Sequence, residues 1–131
     1  MSRFKRDIFY MKDIQNRADL ELLIDSFYQK LLQDDKVNFI FTDVAKINLE
    51  HHLPILVDFW EQIVFNTGNY RNNPLQVHFD LNEKFKLTAE HFSIWLHHFM
   101  TTVDALFAGE NAEKIKTRAL SIANVMQIKL A

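Results

Sequence analysis

Cysteine is absent from this chain, and glycine and proline occur only twice each. The first absence excludes disulfides, iron–sulfur clusters and thiolate zinc sites, and it fits a reducing compartment. The second argues against an all-β domain, whose many tight turns draw on glycine and proline. No apolar run approaches the roughly 18 residues of a membrane span. The opening "MSRFKRDIFYMKDIQNRAD" offers only the short apolar run from Ile8 to Met11 before charge returns. That is too little for the apolar core of a secretion signal. An excess of one charge is lacking too. Fifteen basic residues stand against 17 acidic ones, a net charge of −2, so neither nucleic acid nor an anionic membrane is implied as a partner. A soluble, cytoplasmic protein is expected, as a monomer or weak dimer.

Against these absences stands a length of 131 residues with 48% apolar content, which fits one globular domain with a real core. Twelve phenylalanines are more than such a core ordinarily uses. They either fill it or wall a large, flat apolar ligand. The stretch 18–35 places Leu20, Leu23, Ile24, Phe27, Tyr28 and Leu31 at helical spacing, which predicts one apolar face. "KVNFIFTDVAK" is short, and a lone strand would have no partner, so it reads as a buried connector with irregular turns. A second helix is expected from Asn48, a plausible N-cap, to Phe65, with His52, Leu56, Trp60 and Ile63 or Val64 on one stripe. Pro54 falls inside it, which predicts a distorted first turn or a regular helix beginning near Leu53. Residues 66–87 show no clear periodicity and read as a long loop. Thr88 caps a third helix carrying Phe92, Trp95, Phe99, Val103 and Leu106, closed by Gly109. A last helix begins near Ala112, capped by Asn111. The expected architecture is one all-α domain of about four main helices.

The six histidines carry the chemistry. A helical chelate needs two ligands three or four residues apart, and no histidine here has another His, Asp or Glu at those offsets. The Glu-x-x-His motif of bundle di-iron proteins is also missing. Haem iron, however, takes four nitrogens from its macrocycle and asks the protein for a single axial histidine among apolar residues. His78, between Val77 and Phe79, meets that description. The plainer alternative is a core histidine bonded to a backbone carbonyl. Tyr28, His52 and Trp95 each bring one hydrogen-bonding group to the apolar stripe of a different helix. Buried polar groups need partners, so their convergence suggests a small polar ligand in an apolar pocket. The alternative is three unrelated positions that bond to backbone or water.

The segments "SFYQKLL", "FIF" ending at Phe41, "EHHLPILVDFW", "GNYRNNPLQVHFDL" and "FSIWLHHF" follow one another in an order and spacing that resembles the third group of truncated haemoglobins. The likeness runs from about Leu20 to Leu130. It implies a shortened globin, a two-on-two helical sandwich; residues 1–18, without a counterpart in that family, are expected as an N-terminal extension packed as a short surface helix. It implies haem b held by His78 as the proximal iron ligand. Tyr28 and Trp95 would be distal donors, and His52 the distal-helix histidine. Phe41, Leu56, Leu75 and Phe85 would be apolar haem contacts, with Tyr70 and Arg71 near its edge. The ligands implied are O2, NO or CO, with tight O2 binding. NO dioxygenase or peroxidase-like turnover would require a reductase that the sequence does not identify. Pro54, two residues past His52, departs from the expected pattern. Beside this reading stand a cofactor-free all-α interaction domain and a haem-based gas or redox sensor.

Overall fold

Apolar residues at helical spacing near the N-terminus become α1 (Arg17–Gln33), which buries Leu20, Leu23, Ile24, Phe27, Tyr28 and Leu31. Asn16 starts it, its side chain accepting the Asp19 N–H at 3.0 Å, so one of the unpaired donors of the first turn is satisfied. Each of the fully buried leucines and isoleucines contributes about 1.5–3 kcal/mol by leaving water. The computed structural model describes residues 11–68 and 74–130, the side chains of residues 74–77 and 79 excepted. After α1 come a π-helical turn (Ile40–Val44), α2 (Leu49–Phe65), α3 (Pro74–Lys84), α4 (Ala89–Leu106) and α5 (Glu110–Leu130). Regular structure among the described residues is entirely helical.

The helices pack as two pairs. α1 lies against α2 and α4, α4 against α5, and α2 against α5. This is the expected two-on-two sandwich, with its core where the pairs face each other. Phe99, Val103, Ile115 and Ala119 have no exposed surface there. α3 touches the α5 side of the sandwich and so forms one wall rather than part of the central core. No described helix is long and apolar enough to cross a membrane.

Four local expectations change. The long loop of 66–87 contains α3, whose first residue is Pro74, a position where the missing N–H costs nothing and the fixed φ suits a helix. Leu75, Val77, Phe79 and Leu81 alternate with other residues, and that two-residue period hides the helical one. The connector after α1 is not wholly irregular. It winds into the π-helical turn, with the Ala45 N–H donating to the Ile40 carbonyl at 2.8 Å. Helix α2 begins at Leu49 and runs through Pro54 without a delayed start, although its N-cap Asn48 makes no side-chain bond. The lost Pro54 donor would have served the Glu50 carbonyl, close to the helix end, where a missing bond matters least.

The fourth change concerns the start of α5. Asn111 lies inside the helix rather than capping it, and the cap comes from Asp13, far away in sequence. The Asp13 carboxylate accepts the N–H groups of Asn111 at 2.8 Å and Ala112 at 2.9 Å. The Asn111 amide in turn donates to the Ile14 carbonyl at 2.7 Å. Gly109 leaves room for this: its φ is +145°, and an ideal Cβ there would lie 2.5 Å from Asp13 Cγ. The described part of the N-terminal extension is therefore not a surface helix. Ile14 is 1% exposed, within the main core, and residues 1–10 lie outside the described residues.

Asp13→Ala should lower unfolding stability by about 1–2 kcal/mol, as the loss of a helix cap does. Gly109→Ala should cost more than about 1 kcal/mol, because the new Cβ meets both strained backbone and the Asp13 carboxylate. Urea unfolding of both variants checks this; equal midpoints for wild type and Asp13→Ala would remove the cap from the account.

Candidate functional site

The pairing of α1 with α2 places two polar groups inside an apolar interior. Tyr28, on the inner face of α1, is 5% exposed, and its hydroxyl lies 3.1 Å from His52 Nε2 on α2. Their rings meet edge to face at 5.6 Å, and Phe41 from the π-helical turn meets Tyr28 in the same manner at 5.6 Å. The turn thus aims one aromatic side chain at the pair. A π-helical turn is the kind of local irregularity that often accompanies functional sites.

Burial sets the protonation of both groups. It raises the Tyr28 hydroxyl well above the ordinary phenol range, because the phenolate would be charged in apolar surroundings. The same burial lowers His52 below its ordinary 6.5, and the charge of nearby His78 on α3 lowers it further. At neutral pH the pair is therefore a phenol and a neutral imidazole. One hydrogen bond joins them in either of two senses. With its proton on Nε2, His52 donates to the Tyr28 oxygen and leaves the Tyr28 O–H to point elsewhere. With its proton on Nδ1, His52 accepts the Tyr28 O–H.

Trp95, half-buried on α4, joins the group through Phe27, whose ring touches Tyr28 at 5.5 Å and Trp95 at 5.8 Å. Its indole N–H makes no hydrogen bond among the described residues. Leu56, one turn after His52, packs half-buried on the core. His78 is half-buried on α3, within electrostatic reach of His52. Phe85 is placed apart from the Tyr28–His52 pair: its ring neighbours are Phe39 at 5.1 Å and His91 at 5.7 Å. The Leu75 side chain, Tyr70 and Arg71 lie outside the described residues.

Two features escaped the sequence. Asp34, at the C-cap of α1, meets His98 Nε2 at 2.7 Å, and this contact holds the Asp34 carboxyl below its usual range. Sixty-four positions separate the two residues, and no local spacing announces them. The other is a stack of rings around Phe99, whose members were visible only as separate helix stripes.

The donor set limits what the site can hold. Among the described residues no three His, Asp or Glu side chains gather around a point. A metal here would have to bring most of its own ligands. One imidazole on α3, another on α2, a phenol and an indole are accompanied by a set of half-buried apolar side chains packed on the core. Phe41, Leu53, Leu56, Leu81, Ile94 and Trp95 belong to that set. This chemistry fits a flat metal macrocycle that supplies equatorial nitrogens and needs one axial imidazole.

No family model matches the chain. A group 3 truncated haemoglobin, Ctb of Campylobacter jejuni, is 28% identical over 115 residues, which span 86% of this chain and 88% of that protein. The crystal structure of a group III truncated haemoglobin from Campylobacter jejuni superposes with a TM-score of 0.82 at 26% identity. That match covers 92% of this chain and 96% of the other.

For the chain without bound ligand, nuclear magnetic resonance should find His52 titrating below 6.5. His78→Gln should move its midpoint part of the way back, leaving the larger effect of burial in place. The unfolded chain takes up this proton first as pH falls. The contribution of His52 to stability is therefore complete above 6.5 and is lost as pH drops toward the folded value. A His52 midpoint above 6.5 would contradict the buried, neutral assignment.

Proposed function

The chain belongs to the third group of truncated haemoglobins, and from that premise we propose that it holds haem b and binds diatomic gases, O2, NO or CO. The observation that supports this most is the Tyr28–His52 contact between α1 and α2, with His78 of α3 within electrostatic reach of His52. When bound, haem supplies an iron centre with four ring nitrogens and two axial positions, one for an imidazole and one for a gas.

His78 would hold the iron through its neutral imidazole, since a ligating nitrogen must be free of its proton. Tyr28 and Trp95 are the donors on the gas side. With the Nε2 proton on His52, that imidazole donates to the Tyr28 oxygen and turns the Tyr28 O–H toward the pocket. The raised Tyr28 pKa keeps this proton in place at every physiological pH. The Trp95 indole N–H, uncommitted to any described residue, is the second donor. Phe41, Leu56, Leu75 and Phe85 provide apolar surface that excludes water from the macrocycle.

A hydrogen bond to an acceptor that has gained negative charge is worth about 1.5–3 kcal/mol. Two such donors favour slow release of O2 over carriage and delivery. They suit a protein that keeps O2 for reaction with NO, or one that polarises a peroxide. Either turnover needs a reductase partner to return the iron to its ferrous state.

Purified protein reconstituted with haem should show an intense Soret band. His78→Ala should abolish the wild-type ferrous spectrum, while His91→Ala, which loses a cap contact of α4 and the ring contacts with Phe39 and Phe85, should retain it. A colourless protein after reconstitution would leave the cofactor-free reading in place. An unchanged His78→Ala spectrum would transfer the axial role elsewhere. Tyr28→Phe should speed O2 dissociation about 10- to 100-fold, the equivalent of one charge-assisted hydrogen bond. Stopped-flow displacement of O2 by CO measures it, and an unchanged rate would mean that the hydroxyl does not reach the ligand.

A further inference from the structure

Gas binding as proposed uses Trp95 only for its N–H, yet the flat face of the same indole is engaged as well. Trp95 stacks on Phe99 at a centroid separation of 5.6 Å and an interplanar angle of 14°. Phe99 stacks on Trp60 of α2 at 4.8 Å and 27°. Aromatic pairs in proteins adopt edge-to-face arrangements at least as readily as stacked ones, and most ring pairs here are edge to face. Among the described residues the two consecutive stacked contacts depart from that pattern, and each end of the run is an indole.

Indole is among the side chains most easily oxidised by one electron, whereas a phenyl ring resists oxidation but can bridge two π-systems in contact. Trp95 is partly exposed, Phe99 has no exposed surface, and Trp60 is 3% exposed. The chain contains no cysteine to intercept oxidising equivalents on the way. We propose that Trp95, Phe99 and Trp60 form a relay that draws oxidising equivalents from the pocket to a sheltered site on α2. A one-electron oxidant at the pocket takes an electron from Trp95, and an electron from Trp60 refills it through Phe99. Trp60 then releases its indole proton to water and remains as the neutral radical until a one-electron reductant returns electron and proton.

Tyr28 is the competing donor. Phe27 touches its ring only edge to face, at 5.5 Å and 79°, and phenol oxidation must expel the proton that burial holds on it. The path to Trp60 is stacked at both contacts, and an indole, unlike a phenol, can give up its electron before its proton leaves. The relay protects the pocket by moving the damaging charge away from it. Only the origin of the oxidant rests on the haem reading; the stack itself does not.

Azide radical, a diffusing one-electron oxidant that becomes azide, tests the relay on the full chain without haem. Pulse radiolysis generates it, and peptide mass spectrometry locates the oxidised tryptophan. In the wild type, Trp60 should carry oxidation products despite its burial. Trp95→Phe keeps a ring in the stack but removes the oxidisable inlet, so oxidation of Trp60 should be lost. Trp60→Phe removes the sink and should make the products accumulate at Trp95. Phe99→Leu, checked for folding by circular dichroism, should act like Trp60→Phe. Equal oxidation of Trp60 in wild type and Trp95→Phe would overturn the relay, as would exclusive oxidation of Trp95 in the wild type. Absence of a Soret band sinks the haem reading alone, and the radical experiment still decides the relay.

Discussion

Phe99 is the point on which the molecule turns. It has no exposed surface, and rings from three helices meet it: Phe27 from α1, Trp60 from α2, and Trp95 from its own α4. A close-packed interior transmits a change at such a point in every direction. The angle between the helix pairs, the depth of Trp95 in the pocket and the register of α2 against α1 are settled together there. Where α1 and α2 sit then determines whether the Tyr28 hydroxyl can reach His52. The polar site is thus a consequence of apolar packing one layer deeper.

A buried phenol beside a buried imidazole is tolerated because each satisfies the other. Burial penalises the charged form of both, so the pair stays neutral and keeps one mobile choice, the direction of its hydrogen bond. That choice decides whether the Tyr28 O–H points elsewhere or is donated to His52. The π-helical turn and α3 complete the surroundings from either side, one bringing Phe41 and the other His78. Both are short elements whose conformation depends on the sandwich they lean on.

Much of this was legible in the residues. The buried face of α1, and Phe92, Phe99 and Val103 of α4, are those that helical spacing picked out, because a 3.6-residue period segregates apolar side chains onto one face. Thr88 caps α4 as expected, its hydroxyl accepting the His91 N–H at 3.3 Å, since a cap acts over three residues and needs nothing distant. Tyr28, His52 and Trp95 stood out as polar groups on apolar stripes for the same local reason. Helix α3 was hidden by alternating apolar residues whose two-residue period mimics a strand. The cap of α5 was misassigned to Asn111 because its true acceptor, Asp13, is brought there by the folded chain.

The sequence by itself determined the class of the fold, the absence of cysteine chemistry and the identity of the few polar side chains turned inward. Those follow from composition and from periodicities that act over a turn or two of helix. Only the tertiary structure decided which of these side chains meet. It set Tyr28 against His52 and brought His78 within reach of His52. It joined Asp34 to His98, and it turned Trp95, Phe99 and Trp60 into one stack. Apart from the Trp95–Phe99 contact within α4, each of those contacts links residues far apart in the chain, and the distance between them is set by how whole helices pack rather than by any spacing along the sequence.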